Sequence, residues 1–270
     1  MTAPLGFATK TVHGIVLRAD PRREPCFTVV DTDAELYEWP DMSAISQRER
    51  LHRHMNNEMG ALEIAAQCLA DFPDAPWDLR MRLARQCWDE SRHVAVLYRR
   101  LRELGGRKGE FPISNFEWSI TCSLDTLAGR LAVQNRTFEA GEMDFLSKIP
   151  DKWREVGDEH TARILEGILV DEIQHVRFAN QWLKQLVQQD RRLLLKVALA
   201  SRFLETVIAA FLPKAGETNA AGTDMGRLQI KVPAVNVEDR RSAGFSDAEI
   251  GEMLRKSGFS SLLEASERGG

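Results

Sequence analysis

The chain has 270 residues, 28% of them charged, with 36 basic and 40 acidic side chains and a formal net charge of -4. A sizeable core is possible at this length, in one large domain or two small ones, and the near balance of charge argues against nucleic acid, which calls for a basic face. Cys26, Cys68, Cys87 and Cys122 form no CxxC pair, which excludes a zinc knuckle or disulfide framework and fits a reducing, cytoplasmic compartment.

Residues 1–43 lack helical period, with CFTVV (26–30) as a short strand among Pro21, Pro25 and Pro40. Helical patterning predicts a first helix from Ser43 to Ala70, ended by DFPDAPW, and a second from Trp77 to Leu104, stopped by Gly105-Gly106. The basic run Arg99-Arg100-Leu101-Arg102 falls late in that second helix and reads as a solvated face. A third helix is expected over Glu117 to Lys148, an extra turn over 151–156, a fourth helix over Asp158 to Gln189 and a fifth over Arg191 to Leu212. The most apolar stretch, Val197 to Leu212, is interrupted by Arg202 and Glu205, so it reads as amphipathic and not as a membrane span. The N-terminus has no signal-peptide pattern. Residues 213–226 read as a loop, RLQIKVPAVN as an extended segment, and Ser246 to Glu249 as the capping box of a short last helix. Four long helices with short turns describe an all-α, up-and-down bundle. The organisation expected is an N-terminal extension (1–43), a bundle (44–212) and a C-terminal tail (213–270) that closes over one end as a lid.

WDESRH (88–93) returns in altered form as VDEIQH (170–175), so Asp-Glu-x-x-His occurs twice, 82 residues apart. Residues i and i+3 share a helix face, so Glu90 with His93, and Glu172 with His175, can each bind one ion. Leu83, Cys87, Val94, Leu97 and Leu101 flank Glu90 at helical spacing, and Leu165, Ile168, Leu169, Val176 and Ala179 flank Glu172, which puts both glutamates in apolar stripes. A buried carboxylate is costly unless paired or metal-bound. Two such pairs, with one glutamate from each of two further helices, make a two-metal site.

The missing glutamates are Glu58, set among Leu51, Met55, Ala61, Leu62 and Ala65, and Glu139, set among Leu131, Ala132, Asn135, Met143 and Leu146. The rival Glu63 has more polar, smaller neighbours and points about 140° away from Glu58. Glu142 is the near rival of Glu139. The metal ligands expected are thus Glu58, Glu90, His93, Glu139, Glu172 and His175, with Asp89 and Asp171 holding the second N–H of a ligating histidine across the pair. This oxygen-rich set suits iron or manganese, and six such groups do not neutralise well without metal. Glu63, Cys87, Asn135 and Glu142 are candidates to line the pocket. His52, His54 and His160 read as surface or capping residues, and Trp88, Trp118 and Trp182 as bundle packing. No GxGxxG, Walker, GxSxG or HExxH motif is present.

These residues resemble the ferritin-like superfamily of di-metal carboxylate proteins. More narrowly, LHRHMNNEMGALEIA (51–65), DESRHVAVLYRRLRELGG (89–106), FEAGEMD (138–144), DEIQHVRFANQWL (171–183) and VPAVNVEDRRSAGFSDAE (232–249) are similar to an uncharacterised bacterial ferritin-like family. In that family a His often stands where this chain has Asn56, and the resemblance leaves residues 1–43 uncovered. It implies a four-helix bundle with two metals, most often two irons, manganese or a mixed pair also fitting. The activity implied is an O2-dependent oxidase or oxygenase acting on a small organic, amine- or amino-acid-like substrate, served by an electron-donor protein and working as a monomer or homodimer without nucleic acid or membrane. The alternatives are a ferroxidase or metal-storage protein and a tRNA-modifying hydroxylase.

Overall fold

A computed structural model describes residues 6–211 and 235–256, and the chain divides into two compact units, residues 1–134 with 190–229 and residues 135–189 with 230–270. The fold is all-α, with a little strand near the N-terminus. The loop expected over 213–226 and most of the extended segment after it lie outside the described residues.

The first unit opens with a hairpin of β1 (Thr9–Val12) and β2 (Ile15–Arg18), registered from Thr9 opposite Arg18 to Val12 opposite Ile15. His13 (φ 48°) and Gly14 (φ 79°) form its two-residue turn, as the twist of a tight hairpin requires. The short strand read in CFTVV survives as β3 (Val29–Val30), which pairs in parallel with β4 (Ile113–Ser114). A single 3-10 turn, Asp33–Glu35, follows β3.

Helices α1 (Ala44–Asp71) and α2 (Trp77–Glu103) pack on one another. The link between them is five residues long and carries Pro73 and Pro76, which end one helix and precede the next. At the far end of α2, Gly105 (φ 80°) turns the chain, its N–H reaching Arg102 O at 3.0 Å while the N–H of Gly106 reaches Leu101 O at 2.9 Å. That is the two-bond closure in which glycine supplies the left-handed residue.

The third helix of the sequence reading is not continuous. It breaks into α3 (Phe116–Thr121), α4 (Leu127–Val133), a π-helical segment (Gln134–Glu139) and α5 (Ala140–Leu146). Two local devices hold the first break. The Thr126 hydroxyl accepts the Gly129 N–H at 3.1 Å, capping α4. Arg130, fully buried, donates to Leu124 O at 3.1 Å and Cys122 O at 3.3 Å, carbonyls that the break leaves without helical partners, and to Asp71 at 2.6 Å. Helix α8 (Leu193–Phe211) packs on α4, where Gly129 leaves room for Ala200.

The second unit contains α5, α6 (Ile149–Glu155), α7 (Glu159–Gln189), α9 (Val237–Ser242) and α10 (Asp247–Lys256). Ala140 and Met143 of α5 and Val176 of α7 share a core with Ala243, Phe245, Ile250 and Leu254. Arg240 on α9 is buried, pairing with Asp144 at 2.5 Å and donating to Ala140 O at 2.9 Å. The Ser246–Glu249 capping box forms as the sequence indicates, with Glu249 also pairing Arg136. No helix among the described residues is long and apolar enough to cross a membrane.

Candidate metal centre

In the first unit, Glu58 projects from the buried face of α1, and Glu90 and His93 lie one turn apart on the buried face of α2. They are 1%, 0% and 3% exposed. His93 Nδ1 is 2.9 Å from Glu90 Oε2 and 3.2 Å from Glu58 Oε2. Burial alone would lower the histidine pKa, but the two carboxylates outweigh it and push it up to about 12. A proton on His93 therefore offsets part of the buried negative charge.

In the second unit, Glu139 stands at the end of the π segment, and Glu172 and His175 lie one turn apart on the buried face of α7, all 2% exposed or less. His175 Nδ1 is 3.4 Å from Glu172 Oε1. The extra residue of a π turn shifts the side chains after it around the helix axis, so this segment sets the face on which Glu139 emerges.

Each triad meets the basic geometric demand of an ion. Within each, one ligand atom per residue can be chosen so that all lie within 4.8 Å of one another. Metal–oxygen and metal–nitrogen bonds of about 2.1 Å place ligands across one ion at about 4.2 Å, so small side-chain movements suffice. Two carboxylates and a neutral imidazole carry the charge that one divalent ion balances.

Three polar residues that support the glutamates share one spacing. His54 Nε2 is 2.9 Å from Glu58 Oε1, Gln86 donates to Glu90 Oε1 at 3.2 Å, and Asn135 donates to Glu139 Oε2 at 2.7 Å. Each stands four residues before its glutamate, a signal readable in the sequence; the fourth such position, Ile168, is apolar. His54 is therefore not a surface residue. Neither is His52, which is fully buried, accepts the Gly109 N–H and sits against Phe27 and Phe111. His160 is exposed.

Other sequence candidates fall elsewhere. Glu63 turns from the triad to Arg23, at 2.7 Å. The half-buried Cys87 directs its sulfur to Leu62 O. Glu142 is half-buried. Asn56 donates to Ser114 O at 2.9 Å, fastening α1 to β4. Asp89 is buried and receives Arg85 at 2.8 Å and Arg92 at 2.5 Å, so its own helix supplies cations to it; Asp171 is half-buried. Trp88 is 60% exposed and so is not bundle packing, Trp118 is buried, and Trp182 is half-buried; the deeply buried tryptophan is Trp153.

One protein-family model matches residues 9–251, and its description reads "Protein of unknown function (DUF455)". The match takes in most of residues 1–43, which the sequence resemblance left uncovered. No curated protein and no solved structure matches the chain.

Proposed function

The chain belongs to this family of unknown function, and we propose that it is a non-haem di-metal oxidase or oxygenase whose two triads hold the two ions of one centre, iron at both or iron with manganese. The observation that carries this reading is the duplication. Two buried sets of one composition, a lone glutamate with a Glu-x-x-His pair, recur along the chain, the pairs 82 residues apart and the lone glutamates 81. Hard carboxylate oxygens with one imidazole per ion favour iron or manganese over thiolate-seeking metals.

Bound iron supplies the capacity to reduce O2, the proposed co-substrate, at the expense of a small organic substrate and of electrons from a separate donor protein. The chain's own part is to hold, neutralise and keep dry. Glu58 and Glu90 hold the His93 ring through Nδ1, and a ligating imidazole nitrogen must be free of its proton, so metal binding at this nitrogen would compete with protonation. His54, Gln86 and Asn135 fix the second oxygens or the rotamers of three glutamates, which pre-organises the donors. Asp89 and Asp171 are proposed to take the remaining imidazole N–H groups.

Anaerobic loading with Fe(II), elemental analysis, and optical spectroscopy on exposure to O2 test this reading. The expected result is about two metals per chain and an absorption change that requires O2. Wild-type protein that takes up no metal refutes the centre. Assembly into a large closed shell on size exclusion, with iron uptake and no oxidised product, refutes the oxygenase and leaves metal storage.

A further inference from the structure

A cavity of about 480 Å³ lies in the first unit and is lined by Leu36, Tyr37, Trp39 and Phe111 together with the carboxylates Glu35 and Glu49. Its volume is within the range of small-molecule sites. Glu49 and the triad glutamate Glu58 are nine residues apart on α1, which is about 13 Å along the helix axis, so this cavity is a separate place from the candidate metal centre.

Its walls are held by specific contacts. Tyr37 and Trp39 belong to the segment between the 3-10 turn and α1, while Phe111 lies two residues before β4, with Pro112 between them. The β3–β4 pairing ties these two stretches of chain together. Arg50 of α1 donates to the Trp39 carbonyl at 2.9 Å, and Arg48 of α1 pairs at 2.8 Å with Glu110, next to Phe111. The aromatic planes meet near right angles. Tyr37 and Trp39 are 4.5 Å apart at 82°, and Trp39 and Phe111 5.6 Å apart at 69°. A flat ligand could stack on only one such face, whereas a rounded group can touch several at once.

The residues that line the cavity carry one sign of charge, Glu49 being paired with Arg53 and Glu35 standing exposed at the rim. No lining residue is basic, and both ionisable ones other than Tyr37 are carboxylates. The nearest guanidiniums are engaged with acids: Arg53 with Glu49 at 2.9 Å, and Arg50 with Glu38 at 2.8 Å. His52, behind Phe111, is kept neutral by burial, which lowers its pKa to about 4. Aromatic faces at right angles, with the Glu35 carboxylate at the rim and no basic residue in the lining, attract a cation that sheds water easily, above all an alkylated ammonium.

We infer that this cavity binds a small molecule carrying an alkylated ammonium group, seated against Tyr37, Trp39 and Phe111. The test is calorimetric titration of the full-length protein with choline and with its neutral isostere 3,3-dimethylbutan-1-ol, which has the same shape without the charge. Choline is expected to bind about tenfold more tightly than the isostere, and Trp39→Leu, which keeps apolar bulk but removes the ring, to weaken choline about tenfold. Circular dichroism and the melting temperature show whether the variant is folded; if it is not, Trp39→Phe is expected to retain choline binding in reduced form. Equal affinity for the two probes, or no saturable binding of choline by the wild type at millimolar concentration, overturns the inference. So does choline affinity unchanged in folded Trp39→Leu. Glu90→Ala, which disables the proposed metal centre, is expected to leave choline binding intact.

Discussion

Glu58 reaches its triad from an uninterrupted α-helix, whereas Glu139 reaches the second from a π-helical turn. The first triad has polar support on both of its glutamates, from His54 and Gln86, and its histidine lies within 3.2 Å of both carboxylates. In the second, Asn135 supports Glu139, and Ile168 stands where its counterpart in the first repeat is Gln86. The same chemical word is thus set in two local frames, one on a regular α-helix with His54 and Gln86 behind its glutamates, the other on a π-helical turn with Asn135 and the apolar Ile168 at the corresponding positions. Similar ligands in unequal surroundings hold ions with unequal strength, because the residues behind the ligands set their orientation and basicity.

The largest effect asks whether the two halves are truly separate. Glu90→Ala and Glu172→Ala are each expected to abolish binding of both metals, measured by elemental analysis after Fe(II) loading. One metal retained in either variant would break the single-centre reading and make the triads independent sites. If the halves do share a centre but differ in strength, Asn135→Ala is expected to lower metal affinity about tenfold or more, read by competition with a chelator.

A smaller effect compares what stabilises each unit. Each buries an arginine, Arg130 against Asp71 and Arg240 against Asp144. Asp144→Ala leaves the Arg240 charge buried without its carboxylate, and a loss of about 3 kcal/mol in denaturant unfolding is expected. A loss below about 1 kcal/mol would mean that Arg240 escapes to water once released, so that α9 is not firmly held.

The pH dependence concerns the first unit. Burial outweighs the nearby Glu110 and lowers the His52 pKa to about 4, while the unfolded side chain titrates near 6.5. The unfolded state therefore binds the extra proton between these values. Stability is full above about pH 6.5 and falls as the pH drops toward about 4. His52→Gln, which keeps an acceptor for Gly109, is expected to flatten that part of the melting-temperature profile; an unchanged slope would assign it to other groups.

The smallest expected effect separates the two rival glutamates of α1. Glu63→Gln removes a partly exposed ion pair with Arg23, so about 0.5 kcal/mol of stability should be lost and metal content kept. Loss of metal in this variant would overturn the choice of Glu58.

The boundaries of α1, α2 and α7 could be read within about two residues because proline, glycine and capping signals act over a single turn. The triads were legible for a similar reason: an apolar stripe and a three-residue spacing are local facts, and their repetition links distant stretches. The hairpin around His13-Gly14 is equally local, but its two strands of four residues each are too short to show a clear alternation. The same holds for His54, Gln86 and Asn135, whose common spacing emerges once the glutamates are known to be buried.

The sequence by itself determined an all-α chain, two Glu-x-x-His pairs on apolar helix faces and the likeness of the two halves, because each depends on residues within one or two turns of one another. Tertiary structure supplied the long-range part of the break in the third helix, beside the local Thr126 cap. Arg130 takes Asp71 from 59 residues away and the carbonyls freed by the break, and no periodicity in residues 117–148 shows that partner. It also decided that His52 lies in the core, through Gly109 at a separation of 57 residues, and that Tyr37, Trp39 and Phe111 meet around one cavity. Burial and charge depend on which distant groups come to share a space, and a linear reading sees only the neighbours along the chain.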